Sequence, residues 1–219
     1  MQLPNNFFNH SARQVARKLL GKVIRRKTAG KWLSARIIET EAYYLDEKAS
    51  HASLGYTEKR KALFMPAGTI YMYYARGKDS LNISCKGEGN AVLIKSAHYF
   101  HDCFCSDDAL NIMQQLNPAA TGELRPTDKL CSGQTLLCKA LDIKLTDWDQ
   151  QTFKADALFI DDIHYSPEKI IQTTRLGIPQ GRDEDLMLRY IDAEYAQFCT
   201  KNPLKQKSAT YRILDIPDN

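Results

Sequence analysis

The sequence has few of the features that mark membrane, secreted or disulfide-bonded proteins. No apolar run approaches the roughly 18 residues that a membrane-spanning helix requires. The first twenty residues contain no continuous apolar segment followed by a small-residue cleavage site, so no secretory signal is predicted. Six cysteines in 219 residues are too few for a dense disulfide framework. We therefore expect a reduced, cytoplasmic protein without membrane partners.

Several catalytic signatures are also missing. The chain has no glycine-rich phosphate loop, no Ser/His/Asp signature and no H-E-x-x-H pair. His101, Cys103 and Cys105 cluster in HDCFC, but C-x-C is not the spacing of a zinc finger, and no matching second pair follows. We expect neither a cofactor nor a metal, and the role of this His/Cys cluster is left open. The chemistry must then come from carboxylate, histidine and tyrosine side chains.

Acidic residues are absent from the first 38 positions, which carry nine lysines or arginines. The net charge of the whole chain is only +4, so the excess of basic residues is concentrated in this segment. Such a segment is typical of a surface that contacts phosphates, but it is equally compatible with an ordinary solvated face. A nucleic acid is therefore one candidate partner.

Hydrophobic periodicity predicts a single α+β domain over residues 1–219, with helices decorating a curved, mostly antiparallel sheet. A helix is predicted to begin after Ser11 and to end at Gly21. A hairpin follows, with KVIRR and KWLSARIIETEAYY as its two strands. Further strands are predicted at GTIYMYYA, SLNIS, NAVLIKSA, ALFIDD and KIIQTT, and further helices at DDALNIMQQL and GQTLLCKALDI.

Two carboxylates lie two residues apart in the run IIETEAYYLDEKASH. Strand alternation predicts that four residues of this run share one face of the sheet: Ile37, Glu39, Glu41 and Tyr43. The Cα atoms of the two acids would then be about 7 Å apart. Paired carboxyl groups can flank one glycosidic bond, as in inverting glycoside hydrolases. A salt-bridged strand end is the simpler alternative, and the strand alone does not exclude either.

The strand around position 71 is rich in tyrosine. GTIYMYYARG contains Tyr71, Tyr73 and Tyr74, and in an extended strand Tyr71 and Tyr73 share a face. Aromatic residues next to basic ones suit the stacking of nucleic-acid bases. Tyrosine is equally common in strands that only pack within a sheet, so this segment alone does not identify a binding site.

Seven segments, taken in order, resemble the alkyladenine DNA glycosylase family, also called methylpurine or 3-methyladenine DNA glycosylase. They are ARKLLGKVIRR, IIETEAY, ASH, TEKRKALFMPAGTIYMYY, LNISCKGEGNAVLIK, KLCSGQTLLCKALDI and TTRLGI. The resemblance extends from about residue 16 to residue 189. It implies a mixed α/β domain around a curved antiparallel sheet, and a DNA-associated enzyme of base excision repair. Such an enzyme removes alkylated or deaminated purines from damaged double-stranded DNA without a cofactor, and we expect it to be a monomer.

The resemblance also implies roles for individual residues. Glu41, the second acid of ETEAY, corresponds to the general base that activates the water attacking C1′ of a flipped nucleotide. Glu39 would then be a supporting or structural acid. Tyr43 and His51 would hold the base between them, and Tyr73 would close its edge.

Three further positions concern selectivity and DNA contact. Asn82 would crowd the site where guanine carries its 2-amino group. Arg76 stands where the family usually has a tyrosine that wedges into the duplex, and we expect it to fill the same gap. Lys95 stands where an arginine is usual and is expected at the DNA backbone, although it lacks the bidentate guanidinium. The loop between Arg76 and Asn82 is one residue shorter than usual, which leaves its register open.

Three functions are compatible with these observations. The first is a monofunctional glycosylase that flips and hydrolyses alkylated adenine or guanine, hypoxanthine or ethenoadenine. The second is a lesion-binding module that flips bases but hydrolyses poorly because its wedge is altered. The third is a carbohydrate hydrolase that uses Glu39 and Glu41. The first function predicts an abasic site in DNA, and the second predicts tight binding of DNA without product. The third predicts indifference to DNA.

Overall fold

A sheet of nine strands forms the centre of the protein, whose computed structural model describes residues 1–215. The strands are β1 Val23–Thr28, β2 Lys31–Tyr43, β3 Ile70–Ala75, β4 Lys78–Ser84, β5 Ala91–Tyr99, β6 Leu158–Asp161, β7 Lys169–Thr173, β8 Arg189–Asp192 and β9 Tyr211–Asp215. Their order across the sheet is β3-β4-β5-β2-β8-β7-β9, and β1 pairs with both β2 and β6. Every pairing between these strands is antiparallel.

Four α-helices cover the sheet: α1 Ala12–Leu19, α2 Ala109–Leu116, α3 Gln134–Ala140 and α4 Leu145–Trp148. The side chain of Ser11 accepts a hydrogen bond from the backbone of Gln14 in a capping box, which begins α1 at the position predicted from the sequence. The predicted α+β class is confirmed. The short elements α4, β8 and β9 were not predicted, although β6 and β7, which are equally short, were. No helix within residues 1–215 is long and apolar enough to cross a membrane.

Strand β2 is the longest strand and has neighbours on both sides. It pairs with β1 through its first half, with β8 through its second half, and with β5 along its other edge. The β2–β5 register shifts twice, because Ile38 is an extra residue in β2 and Lys95 is an extra residue in β5. These two bulges compensate each other, so the strands stay paired while the alternation of side chains is interrupted.

The bulge corrects one predicted face assignment. Ile37 packs in the main core together with residues of α1, and not with the acids. The hydroxyl of Thr40 donates to the carbonyl of Ala16 in α1, so Thr40 also faces that helix. Glu39 and Glu41 lie on the opposite face of β2. Simple alternation therefore gave the right face for the two acids and the wrong face for Ile37, because it assumed an uninterrupted strand.

The basic residues of the first 38 positions mostly have partners within the protein. Arg25 is buried, and its guanidinium pairs with Asp102 at 2.6 Å and Asp161 at 2.9 Å. The guanidinium of Arg36 lies 4.5–5.2 Å from the centroids of three aromatic rings, those of Phe100, Tyr165 and Tyr195. Lys22 and Lys31 form ion pairs with aspartates. Much of this segment therefore stabilises the fold, and its excess of basic residues is not by itself evidence of a surface that contacts phosphates.

The six cysteines are all free thiols, and Cys103 is exposed whereas the other five are buried. In the HDCFC segment, the thiol of Cys105 points inward to the carbonyl of Phe100, and His101 lies near the hydroxyl of Tyr99. Within residues 1–215, no three His, Cys, Asp or Glu side chains are grouped so that they could hold a metal ion.

Candidate active site

A pocket of about 650 Å³ opens on the face of the sheet that carries Glu39 and Glu41. Its walls come from β3, β4 and β5, from the loop at 49–54, from the loop at 176–182 and from the start of α3. Six of the seven site residues predicted from the sequence line it: Tyr43, His51, Tyr73, Arg76, Asn82 and Lys95. The seventh, Glu41, lies beneath the floor of the pocket. The volume of the pocket is typical of a site for a small molecule or one nucleotide base.

The carboxylate of Glu41 is fully buried and is held by three groups that line the pocket. The hydroxyl of Tyr43 donates to Oε2 at 2.7 Å, and the backbone N–H of Leu176 donates to Oε1 at 3.1 Å. The ammonium of Lys95 lies 3.4 Å from Oε1 and provides a counter-charge. The same ammonium donates to Oε2 at 3.5 Å. A carboxylate oxygen has two lone pairs, so Oε2 is fully engaged and Oε1 retains capacity for a further donor.

Glu39 is equally buried but is saturated with hydrogen bonds. The guanidinium Nε of Arg189 donates to Oε1 at 2.6 Å. The hydroxyl of Ser96 donates to Oε2 at 2.6 Å, and the N–H and hydroxyl of Thr200 both donate to Oε2 at 2.9 Å. Glu39 therefore joins β2, β5, β8 and the segment around 200. Because its carboxylate already accepts four hydrogen bonds, the geometry does not favour Glu39 as the second acid of a paired-carboxylate hydrolase.

Aromatic rings form one wall of the pocket. The rings of His51 and Tyr73 are in edge contact with centroids 4.4 Å apart, and those of Tyr71 and Tyr73 are stacked at 5.8 Å. Nδ1 of His51 lies 2.9 Å from the hydroxyl of Tyr71, which fixes the orientation of the imidazole. Rings held in this way present a preformed surface to a planar ligand.

Two pKa shifts fix the protonation of this wall. Partial burial of the ring, together with the cations of Arg60 and Arg182, lowers the pKa of His51, so its imidazole is neutral at neutral pH. Burial and the adjacent carboxylate of Glu41 raise the pKa of Tyr43 well above its ordinary value. The Tyr43 hydroxyl thus remains protonated and continues to donate to Glu41.

The hairpin between β3 and β4 carries the rim of the pocket. Its turn consists of Arg76 and Gly77, with φ of 53° and 76°, as a two-residue type I′ connection requires. Arg76 is exposed at this tip. Asn82 pairs directly with Tyr71 across the hairpin, and its Nδ2 donates to the Tyr71 carbonyl at 3.1 Å. This register places the nearly buried Asn82 side chain in the pocket wall. The sequence alone had left the register open because the loop is short.

Lys95, expected at the DNA backbone, lies in the wall of the pocket. Its side chain is only 12% exposed, and its ammonium is paired with Glu41. Ala91 and Leu93 of β5 also line the pocket, so regular alternation along the strand places Lys95 on the same face.

Some contacts of the site were not found from the sequence. The backbone N–H of Leu176 reaches Glu41 from 135 positions away, and Gln134 lies 3.4 Å from the hydroxyl of Tyr73. Arg182 lines the rim and binds the carbonyl of Lys48. The TTRLGI segment was the available signal for Leu176. Its role could not be read from the residue type, because the donor is a backbone N–H.

Comparison with known proteins identifies the family of this chain. The methylpurine-DNA glycosylase family model matches residues 6–196. A Pseudomonas savastanoi pv. phaseolicola protein is 62% identical over 216 residues, covering 97% of each chain. A Pseudomonas aeruginosa protein is 59% identical over 204 residues (93% of this chain, 85% of the relative), and one from Clostridium botulinum is 33% identical over 199 residues (87% and 95%). All three carry the provisional name 3-methyladenine DNA glycosylase. The resemblance seen in the motifs is therefore confirmed, and the chain belongs to the methylpurine-DNA glycosylase family, hydrolases that act on N-glycosidic bonds.

Proposed function

We propose that this protein flips damaged purines out of duplex DNA into the pocket and hydrolyses the N-glycosidic bond with a water molecule activated by Glu41. The substrates are alkylated adenine and guanine, hypoxanthine and ethenoadenine. The observation that carries the proposal is the environment of Glu41, a buried carboxylate held by three groups that line an aromatic pocket, with Oε1 accepting a single hydrogen bond.

Base flipping follows from the position of the reacting atoms. The C1′–N bond of a stacked, paired nucleotide is not accessible to a buried carboxylate, so the nucleotide must leave the helix at a cost of about a few kcal/mol. Stacking of the purine against Tyr43, His51 and Tyr73 offsets part of this cost. A mismatched or damaged base is already weakly paired, which favours its extrusion over that of a normal base.

The chemical step needs a positioned base and a good leaving group. Water attacks C1′, Glu41 accepts its proton, the C1′–O bond forms and the purine leaves with the electron pair of the C1′–N bond. An alkylpurine that carries a positive charge leaves without further help. A neutral purine such as hypoxanthine needs a proton as it leaves, so its excision requires an acid as well as a base. Its rate should therefore fall on both sides of an optimum pH.

Selectivity and DNA contact are assigned to the wall and the rim. Asn82, held by the Tyr71 carbonyl, excludes guanine by occupying the space that its 2-amino group requires. Arg76, exposed at the tip of the β3–β4 hairpin, fills the gap left by the flipped nucleotide. Lys95 acts inside the pocket as the counter-ion of Glu41.

The test uses duplexes that each carry one of these lesions, beside an undamaged duplex of the same sequence. After incubation and treatment with alkali, strand breaks are expected at the lesion only. Lesion binding without strand breaks would instead support the lesion-binding module. A protein that shows no preference for DNA would refute both the glycosylase and the lesion-binding module. Breaks without alkali, or trapping of Lys95 on DNA by borohydride, would contradict a monofunctional mechanism.

A further inference from the structure

Arg175, in the TTRLGI segment, is a buried cation next to the pocket that the mechanism above does not use. Its side chain is fully buried, and its guanidinium carbon lies 4.5 Å from the ring centroid of Tyr43. Tyr43 lines the pocket, whereas Arg175 does not. The guanidinium therefore contacts this ring from the protein interior, while a bound base contacts Tyr43 from the pocket.

Few groups neutralise the charge of Arg175. Its Nη1 donates to the carbonyl of Ala42 at 3.0 Å and pairs with the carboxylate of Glu47. Its Nε and Nη2 are buried and have no hydrogen-bond acceptor among residues 1–215. The Tyr43 ring is therefore one of the main contacts of this cation, and part of the charge acts on the aromatic ring.

Arg175 also fixes the groups around Glu41. The residue that follows it, Leu176, donates its N–H to Glu41, and the ring in contact with Arg175 belongs to Tyr43, which donates its hydroxyl to the same carboxylate. Arg175 is therefore linked to two of the three hydrogen-bond donors of Glu41, to Tyr43 through its guanidinium and to Leu176 through the backbone. None of its atoms reaches the carboxylate itself.

We propose, on the basis of the function proposed above, that Arg175 is a positioning residue that biases the pocket towards neutral purines and against positively charged ones. Two cations on opposite sides of one aromatic ring compete for the same π electrons and repel each other. A positively charged alkylpurine stacked on Tyr43 would experience this repulsion, whereas hypoxanthine or ethenoadenine would not. Glu47 weakens the effect because its carboxylate compensates part of the charge.

The experiment compares excision of 3-methyladenine, a cation in the nucleotide that lacks a 2-amino group, with excision of neutral hypoxanthine in the same duplex sequence. The measured quantity is the ratio of the two specificities, each the maximal single-turnover rate divided by the half-saturating enzyme concentration. Arg175→Met, which keeps the apolar stem, should raise the cation-to-neutral ratio about fivefold. This size follows from the repulsion of two unit charges roughly 8 Å apart, of which Glu47 compensates a part. Arg175→Lys should lower both rates and leave the ratio within about twofold, because the charge remains.

Glu47→Gln provides a second test that keeps Arg175 in place. The near-isosteric amide can still accept the Nη1 hydrogen bond, but it no longer compensates the charge, so the ratio should move in the opposite direction. Arg125→Met is the matched control, since Arg125 also binds backbone carbonyls, those of Asn117 and Pro118, but lies outside the pocket lining. Its ratio should equal that of the wild type.

A purely structural role for Arg175 predicts equal losses on both substrates. The inference would be overturned if Arg175→Met lost specificity equally on both substrates, or if Glu47→Gln left the ratio unchanged. If Arg175→Met does not fold, the result with Glu47→Gln is sufficient. Wild-type protein that releases neither base would overturn the proposed function as well. Wild-type protein that releases both bases, with a ratio insensitive to either variant, overturns only the inference.

Discussion

Glu39 and Glu41 lie two residues apart on the same strand and the same face, and both are fully buried, yet their surroundings differ. Glu39 accepts four hydrogen bonds, including one from the guanidinium of Arg189. Glu41 accepts three, one on Oε1 from Leu176 and two on Oε2 from Tyr43 and Lys95. Burial is the same for both, so it does not distinguish the two carboxylates. Their partners do, because all three groups that hold Glu41 line the pocket, whereas Thr200 is the one partner of Glu39 among residues 1–215 that lines it.

Replacement of the acid below the pocket should have the largest effect. Glu41→Gln keeps the shape of the side chain but removes the proton acceptor, so the single-turnover rate of base release should fall about 10³-fold. Binding of a lesion-containing duplex and the unfolding free energy should change little. Base release near the wild-type rate would show that another group activates the water.

The reverse pattern is expected at the saturated acid. Glu39→Gln leaves the buried guanidinium of Arg189 without its counter-charge, which should lower the unfolding free energy by about 3 kcal/mol in urea titrations. The folded fraction should release bases within about tenfold of the wild-type rate. Glu41→Gln serves as the control in the same titration. A stable Glu39→Gln protein that has lost all activity would contradict the division of roles.

Asn82 shares features of both acids and should show an intermediate effect. Its amide donates to the Tyr71 carbonyl within the sheet, while its side chain also forms part of the pocket wall. Asn82→Ser leaves room for an exocyclic amino group, so release of guanine relative to hypoxanthine should rise tens of fold, equivalent to about 1–3 kcal/mol. Measured rates on both bases in matched duplexes test this. Normal hypoxanthine release with no gain on guanine would remove Asn82 from the selectivity wall.

Arg76 is exposed and should show the smallest effect, mainly on DNA binding. Arg76→Ala should weaken binding of lesion duplexes at low salt and reduce the slope of log affinity against log salt by about one, as expected for one lost phosphate contact. Arg76→Tyr should recover the affinity while retaining the shallower slope, because tyrosine stacks on bases but carries no charge. Coincident salt plots for the three proteins would mean that Arg76 does not contact DNA.

The sequence was sufficient for much of the fold and for the pocket residues, although their roles remain to be tested. Helix α1 and the β1–β2 hairpin could be predicted because a capping residue, a strong helical period and a short turn between two β-prone runs are local signals. The face shared by Glu39 and Glu41 followed from strand alternation. The bulges at Ile38 and Lys95 could not be predicted, because a bulge depends on the register of two strands more than 50 positions apart.

By itself, the sequence determined the family, the α+β class and the identity of the residues around the pocket, since ordered motifs and side-chain types are written in it directly. Only the tertiary structure decided which acid is saturated and which faces the pocket, that Lys95 pairs with Glu41, and that Arg175 lies behind Tyr43. The reason is physical. The donors and charges that distinguish these sites come from Leu176, Arg189 and Thr200, more than 130 positions from the acids they bind. Contacts at such separations are set by the packing of the whole sheet, and no local pattern encodes them.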